Sequence, residues 1–209
     1  KQNAMNYSAV RNLTSLADYE FYKVQLTNVD MPNIQTIGDY TFAENTALTT
    51  LSMPTLKKIG KYTFQNCKNL KNFTFPALEE VNDYAFSGVP MPKMDATVFP
   101  ALKTVSNNAF YDSDTFTSVD LPEVITVGNC SFFHCNGIQT VNLPKCTSIG
   151  TSAFEGATAL VSISMPTLKT MSGPYPFLGT KLNSIDLPLL EHTKERWINN
   201  TDVTSITLP

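Results

Sequence analysis

Proline returns along this chain at a nearly fixed interval, and that interval limits the fold more than any other feature. Pro32, Pro54, Pro76, Pro100, Pro122, Pro144, Pro166, Pro188 and Pro209 each follow Met, Phe or Leu, at spacings of 22, 22, 24, 22, 22, 22, 22 and 21 residues. A self-similar period of this size marks a solenoid, whose turns bury their apolar sides only against neighbouring turns. With each proline numbered as slot 0, apolar side chains come back at fixed slots. Slot 2 carries Ile34, Leu56, Leu78, Leu102, Val124, Cys146, Leu168 and Leu190, and slot 5 carries Ile37, Ile59, Val81, Val105, Val127, Ile149 and Met171. Slot 10 carries Phe42, Phe64, Phe86, Phe110, Phe132 and Phe154, with Phe177 one place late.

The residues before each proline alternate apolar and polar, as in Leu48-Thr-Thr-Leu51-Ser-Met53, which is the pattern of a half-buried strand. One such strand per coil stacks in parallel on the next at about 4.8 Å, and proline, lacking an N–H, belongs where the strand ends. From slot 5 to slot 13, as in Ile149-Gly-Thr-Ser-Ala-Phe154-Glu-Gly-Ala157, there is no alternation. That segment predicts a turn with a short helical or 3₁₀ piece. The expected architecture is an α/β repeat solenoid filling residues 1–209 with about nine coils of about 22 residues. One face is a parallel β-sheet, and turns or short 3₁₀ or helical segments form the other. Residues 1–30 hold an N-terminal cap and a degenerate coil traced by Leu13, Leu16, Phe21, Leu26, Val29 and Met31. Residues 188–209 form an atypical last coil with Trp197 in the phenylalanine position.

The repeat reads most plainly as Ile138-Gln-Thr-Val141-Asn-Leu143-Pro144-Lys-Cys-Thr-Ser-Ile149-Gly150-Thr-Ser-Ala153-Phe154. It resembles the BspA-like leucine-rich repeat family over about residues 13–209. The resemblance implies a right-handed solenoid on the surface of host-associated microbes, in proteins linked to adhesion and protein binding. On that basis the chain is expected to be an extracellular or cell-surface module that binds a protein or glycan and performs no catalysis. The alternative is a structural spacer within a larger surface protein.

Composition agrees with this. Charged residues are 16% of the chain and the formal net charge is −3, which gives no electrostatic reason to expect nucleic acid or an anionic membrane as partner. No apolar run approaches the roughly 18–20 residues of a membrane helix. The first residue is Lys1, so the chain is either processed or an excerpt.

No cofactor or metal is expected, because no His, Asp, Glu or Cys set recurs at ligand or catalytic spacing. Cys67 and Cys135 share slot 13 three coils apart. That is roughly 14 Å at the strand spacing, against a limit of about 7 Å between Cα atoms in a disulfide. Cys146 replaces a core leucine, and Cys130 stands at slot 8, where other coils have Tyr40, Tyr62 and Tyr84. All four are expected as free thiols. His134 beside Cys135 resembles a nucleophile–base pair only in sequence, since neighbours on a tight turn point apart. The lysines are expected in charge ladders, with Lys57 and Lys58 over Glu79 and Glu80, and Lys61 between Asp39 and Asp83.

The outward strand positions form two columns. One runs Asn28, Thr50, Asn72, Ala96, Ser118, Thr140, Ser162, Ser184 and Ser205, and the other Asp30, Ser52, Thr74, Val98, Asp120, Asn142, Ser164, Asp186 and Thr207. Sheet faces of solenoids serve as extended binding surfaces, so the candidate binding residues are Asn72, Thr74, Ser118, Asp120, Thr140, Asn142, Ser162 and Asp186. No aromatic stands in either column, which speaks against a sugar-stacking or single-stranded nucleic-acid platform. Two irregular segments add Met91, Lys93 and Met94 at the two-residue insertion, and Tyr175 before Phe177. The last strand, Thr204 to Thr207, has no charge or internal proline to protect its edge. The chain is therefore expected to continue past Pro209 or to have that edge covered by a second copy.

Overall fold

The alternating segments form strands where the pattern places them in most coils; before Pro76 only a single bridge at Asn72 forms, and before Pro100 the strand is displaced to Met94–Asp95. The computed structural model describes residues 12–199 and 201–209, and it is a parallel β-solenoid of about nine turns. Three-residue strands such as Ser118–Asp120, Thr140–Asn142 and Ser162–Ser164 pair in parallel and in register, Val141 lying between Val119 and Ile163. Their central residues point inward, and their outer residues are exposed. The proposed cap at residues 1–11 lies outside the described residues.

One expectation about the other side of the coil is corrected: the turns are present, but the short helical or 3₁₀ piece is not. Among the described residues there is no helix. In its place, slots 4 and 5 build a second parallel ladder of two-residue strands. Ser15–Leu16, Thr36–Ile37 and Lys58–Ile59 form one run, and Glu80–Val81, Thr104–Val105, Thr126–Val127, Ser148–Ile149 and Thr170–Met171 form the other. A two-residue strand is too short to show an alternating pattern, so the sequence does not announce it. Slots 8 and 12 then adopt left-handed backbone angles, as at Tyr40 (φ 55°), Glu44 (φ 61°), Cys130 (φ 52°) and His134 (φ 56°). A pair of left-handed residues four apart cannot propagate a right-handed helix. Their N–H groups reach instead to the next coil, Tyr40 to Lys61 O (2.9 Å), Phe42 to Thr63 O (2.9 Å) and Glu44 to Gln65 O (2.8 Å).

The phenylalanine column is the spine of the core. Phe42, Phe64, Phe86, Phe110, Phe132, Phe154 and Phe177 have no exposed surface. Successive rings stack with centroids 5.1–6.0 Å apart. At the end of the column Gly179 N–H points to Asn199 O (3.5 Å), which aligns Ile198, not Trp197, with Phe177. Trp197 is partly buried beside it.

Side chains stitch the coils together at two slots whose chemistry the apolar pattern hides. At slot 7, Asp39 accepts from Lys61 N (2.7 Å), Asn107 from Asn129 N (2.8 Å) and Asn129 from Thr151 N (2.8 Å). At slot 13 a short donor bonds the phenylalanine carbonyl of the coil before. Cys67 donates to Phe42 O (3.2 Å), Ser113 to Phe86 O (2.9 Å) and Cys135 to Phe110 O (3.1 Å). The motif cysteines are thus buried donors as well as small apolar fillers. Close approach also explains glycine at slot 6. A Cβ on Gly150 would lie 2.5 Å from Asn129 N.

Candidate functional site

The strand face is built by register. Parallel pairing sets Thr140 between Ser118 and Ser162, and Asn142 between Asp120 and Ser164. Asp186 faces Thr207 in the last pair, and Asn72 joins Thr50 through a single bridge. Asn72, Thr74, Ser118, Asp120, Thr140, Asn142, Ser162 and Asp186 are all exposed and lie on this face. Its side chains are short and mutually supported; Asn142 Nδ2 donates to Asp120 Oδ1 (2.9 Å). The ladder is interrupted between the bridge at Asn72 and the strand Met94–Asp95. Beside that break lies a shallow hollow of about 320 Å³, lined by Thr50, Ser52, Asn72, Phe73 and Thr74 among others.

The fourth coil departs from the expected columns. Met94 pairs with Val119 and Asp95 with Asp120, so the extra residues lie after the strand, in Ala96–Val98, and not at Pro90–Met94. Asp95 closes that bulge by accepting from Thr97 N (2.8 Å) and from the Thr97 hydroxyl. Val98 O then receives the Phe75 N–H (2.9 Å), restoring the coil. The outward residues here are therefore Lys93 and Asp95, while Val98 is buried. Met91 and Met94 are also buried, at 0% and 1% exposure. They fill core positions, since Met91 precedes Met94 by three residues as Phe116 precedes Val119, and they offer a partner no side chain. That spacing was the available signal. Tyr175 is partly exposed in a left-handed turn, its hydroxyl accepting from Arg196 (3.2 Å).

The charged ladders run partly as expected. Lys61 pairs with Asp83 (3.1 Å), and Asp39 strengthens its charge from the other side. Glu79 pairs forward with Lys103 (2.9 Å), with Lys57 acting on it only through its field. Lys145 with Glu123 (2.7 Å) and Lys169 with Glu191 (3.6 Å) repeat the arrangement.

Nothing in this geometry assembles reactive groups. The four cysteines are free thiols. Burial pushes Cys67 and Cys146 up to about 12 and raises Cys135 as well. His134 is exposed and its ring stacks on Phe133 at 4.1 Å, while Cys135 points into the core. Among the described residues no three His, Cys, Asp or Glu side chains come together as a metal site. Among the described residues no helix long and apolar enough to cross a membrane is present.

Coils stacked through parallel ladders, an apolar spine and a polar strand face define a leucine-rich-repeat solenoid. The chain belongs to the BspA type leucine rich repeat family, whose model matches residues 2–100 and 103–209 in six copies. Its fold is similar to that of a leucine-rich repeat protein from Bacteroides ovatus, with a TM-score of 0.76 at 16% identity, covering 94% of this chain and 64% of that one. The pneumococcal vaccine antigen PcpA matches with a TM-score of 0.56 at 17% identity over 95% of this chain and 60% of its own. A leucine-rich repeat protein of T. pallidum matches with a TM-score of 0.53 at 23% identity, covering 80% of this chain and 70% of that one. The chain thus spans less than two thirds of the length of the B. ovatus protein and of PcpA. A comparison with curated proteins found no match.

Proposed function

We propose that this chain is a non-catalytic binding module, displayed outside the cell, that holds an extracellular protein on its strand face. The observation that carries the reading is the face itself, eight exposed short polar side chains, of which Ser118, Asp120, Thr140, Asn142 and Ser162 are held in register by one parallel ladder. Such a surface presents many weak hydrogen-bonding groups at a fixed spacing and loses little side-chain entropy on binding. The family and the B. ovatus protein support a scaffold role, and a surface position is in keeping with the description of PcpA as a vaccine antigen. The test uses the 209-residue protein on arrays of immobilised secreted host proteins and of oligosaccharides. Retention by a protein, lost in the Asp120→Lys/Thr140→Lys variant, is the expected result. Binding confined to oligosaccharides would make the partner a glycan. No binding on either array would leave the chain a structural spacer and overturn the proposal.

A further inference from the structure

Slot 8 holds a second aromatic column, on the turn edge and away from the strand face. Tyr19, Tyr40, Tyr62 and Tyr84 stack with centroids 4.8, 4.4 and 4.8 Å apart and planes within 8° of parallel. All four occupy left-handed backbone, with φ between 55° and 60°, which bulky side chains adopt only at a cost. Asn108 fills the same slot in the next coil with φ 55°, so an inexpensive residue suffices there for folding. Tyrosine in four successive coils thus exceeds what the backbone requires. Among the described residues the column ends at Tyr19, which is 54% exposed, with Tyr22 set edge-on at 5.7 Å. The Lys23 ammonium lies 4.9 Å over the neighbouring Tyr22 ring, so the chain's own cation already makes a cation–π contact beside Tyr19. The fields of Asp18 and Asp39 reach Tyr19, and that of Glu44 reaches Lys23. Asp18 and Asp39 each use one oxygen to accept a backbone N–H from the next coil, which holds them in place.

We infer that the tyrosine column and its carboxylates form a second docking surface, for an arginine-bearing segment of a partner protein. A guanidinium stacks on the exposed Tyr19 ring while its N–H groups reach the phenol oxygens and the neighbouring carboxylates. Planar, weakly hydrated arginine fits this corner better than lysine. The strand face has no role here, so the two surfaces fail independently.

The test measures fluorescence anisotropy of a labelled octa-arginine peptide against the whole chain at about 0.15 M salt, where long-range attraction is screened. Octa-lysine and a neutral hexasaccharide serve as comparison probes. The Tyr19→Asn/Tyr22→Asn variant should weaken octa-arginine binding by about tenfold, with the melting temperature held, since Asn suits the left-handed backbone at Tyr19 and Tyr22 is an exposed side chain. Asp120→Asn on the strand face should leave binding unchanged. Equal affinity for octa-lysine, unchanged binding by the tyrosine variant, or competition by the hexasaccharide would each overturn the inference.

Discussion

Single residues carry this fold when they sit in a column that every coil shares. Phe110 is fully buried between Phe86 at 5.7 Å and Phe132 at 5.4 Å. Phe110→Ala should therefore cost about 3–5 kcal/mol, read from urea unfolding. The thiols give a second expectation. Denatured, unreduced protein should titrate four free thiols, and in the native protein Cys130, the one half-exposed cysteine, should react first. Burial keeps Cys67 and Cys146 protonated in the fold at pH values that would ionise them in the unfolded chain. Their folded pKa is raised, so their contribution is complete below about pH 9 and is lost as pH climbs toward about 12. The urea midpoint should accordingly fall on moving from about pH 8 to about pH 10.5, and fall less in Cys67→Ser, whose hydroxyl keeps the donor that Ser113 supplies in its own coil.

Ladders set the tolerances of each element. At slot 6 the short sheet turns into the outer loop, and coils approach closely enough that Gly150→Ala drives its Cβ to 2.5 Å from Asn129 N. The coils must part locally, and a loss of about 1–3 kcal/mol in thermal or urea unfolding is expected. The ion-pair ladders act in the opposite way. Lys145–Glu123 and Lys103–Glu79 are solvent-exposed at both ends, so raising salt to about 0.5 M should leave the melting temperature nearly unchanged. They order the surface without holding the coils.

At the scale of the molecule the contacts run between neighbouring coils, and the array behaves as a one-dimensional stack. Removing residues 122–143 deletes one full period of 22 residues and should leave a shorter solenoid that still unfolds cooperatively, because the register of both ladders is preserved. Circular dichroism and hydrogen exchange would check this. Loss of folding would mean that this coil has contacts its homologues in the array cannot replace. Hydrogen exchange should also be slowest in the middle coils and fastest at the last strand, where Ser205, Ile206 and Thr207 are all exposed.

The period, the strand that precedes most of the prolines and the buried phenylalanine column are legible from residue order, because a repeat imposes the same burial on the same slot in every coil. Eight polar residues of the candidate face followed from that alternation alone. What alternation cannot express needed the tertiary structure. A two-residue strand has no period, so the second sheet was invisible. Left-handed slots accept Tyr, Asn, Cys, Ser and His alike, so composition there suggests a helix as readily as a turn. The fourth coil was misread because counting from proline moved its insertion into the strand, and only pairing of Met94 with Val119 put Met91 and Met94 in the core. The tyrosine column shows the same limit. Its recurrence is visible in sequence, but the face it presents is decided by backbone angles that only the stacked coils impose.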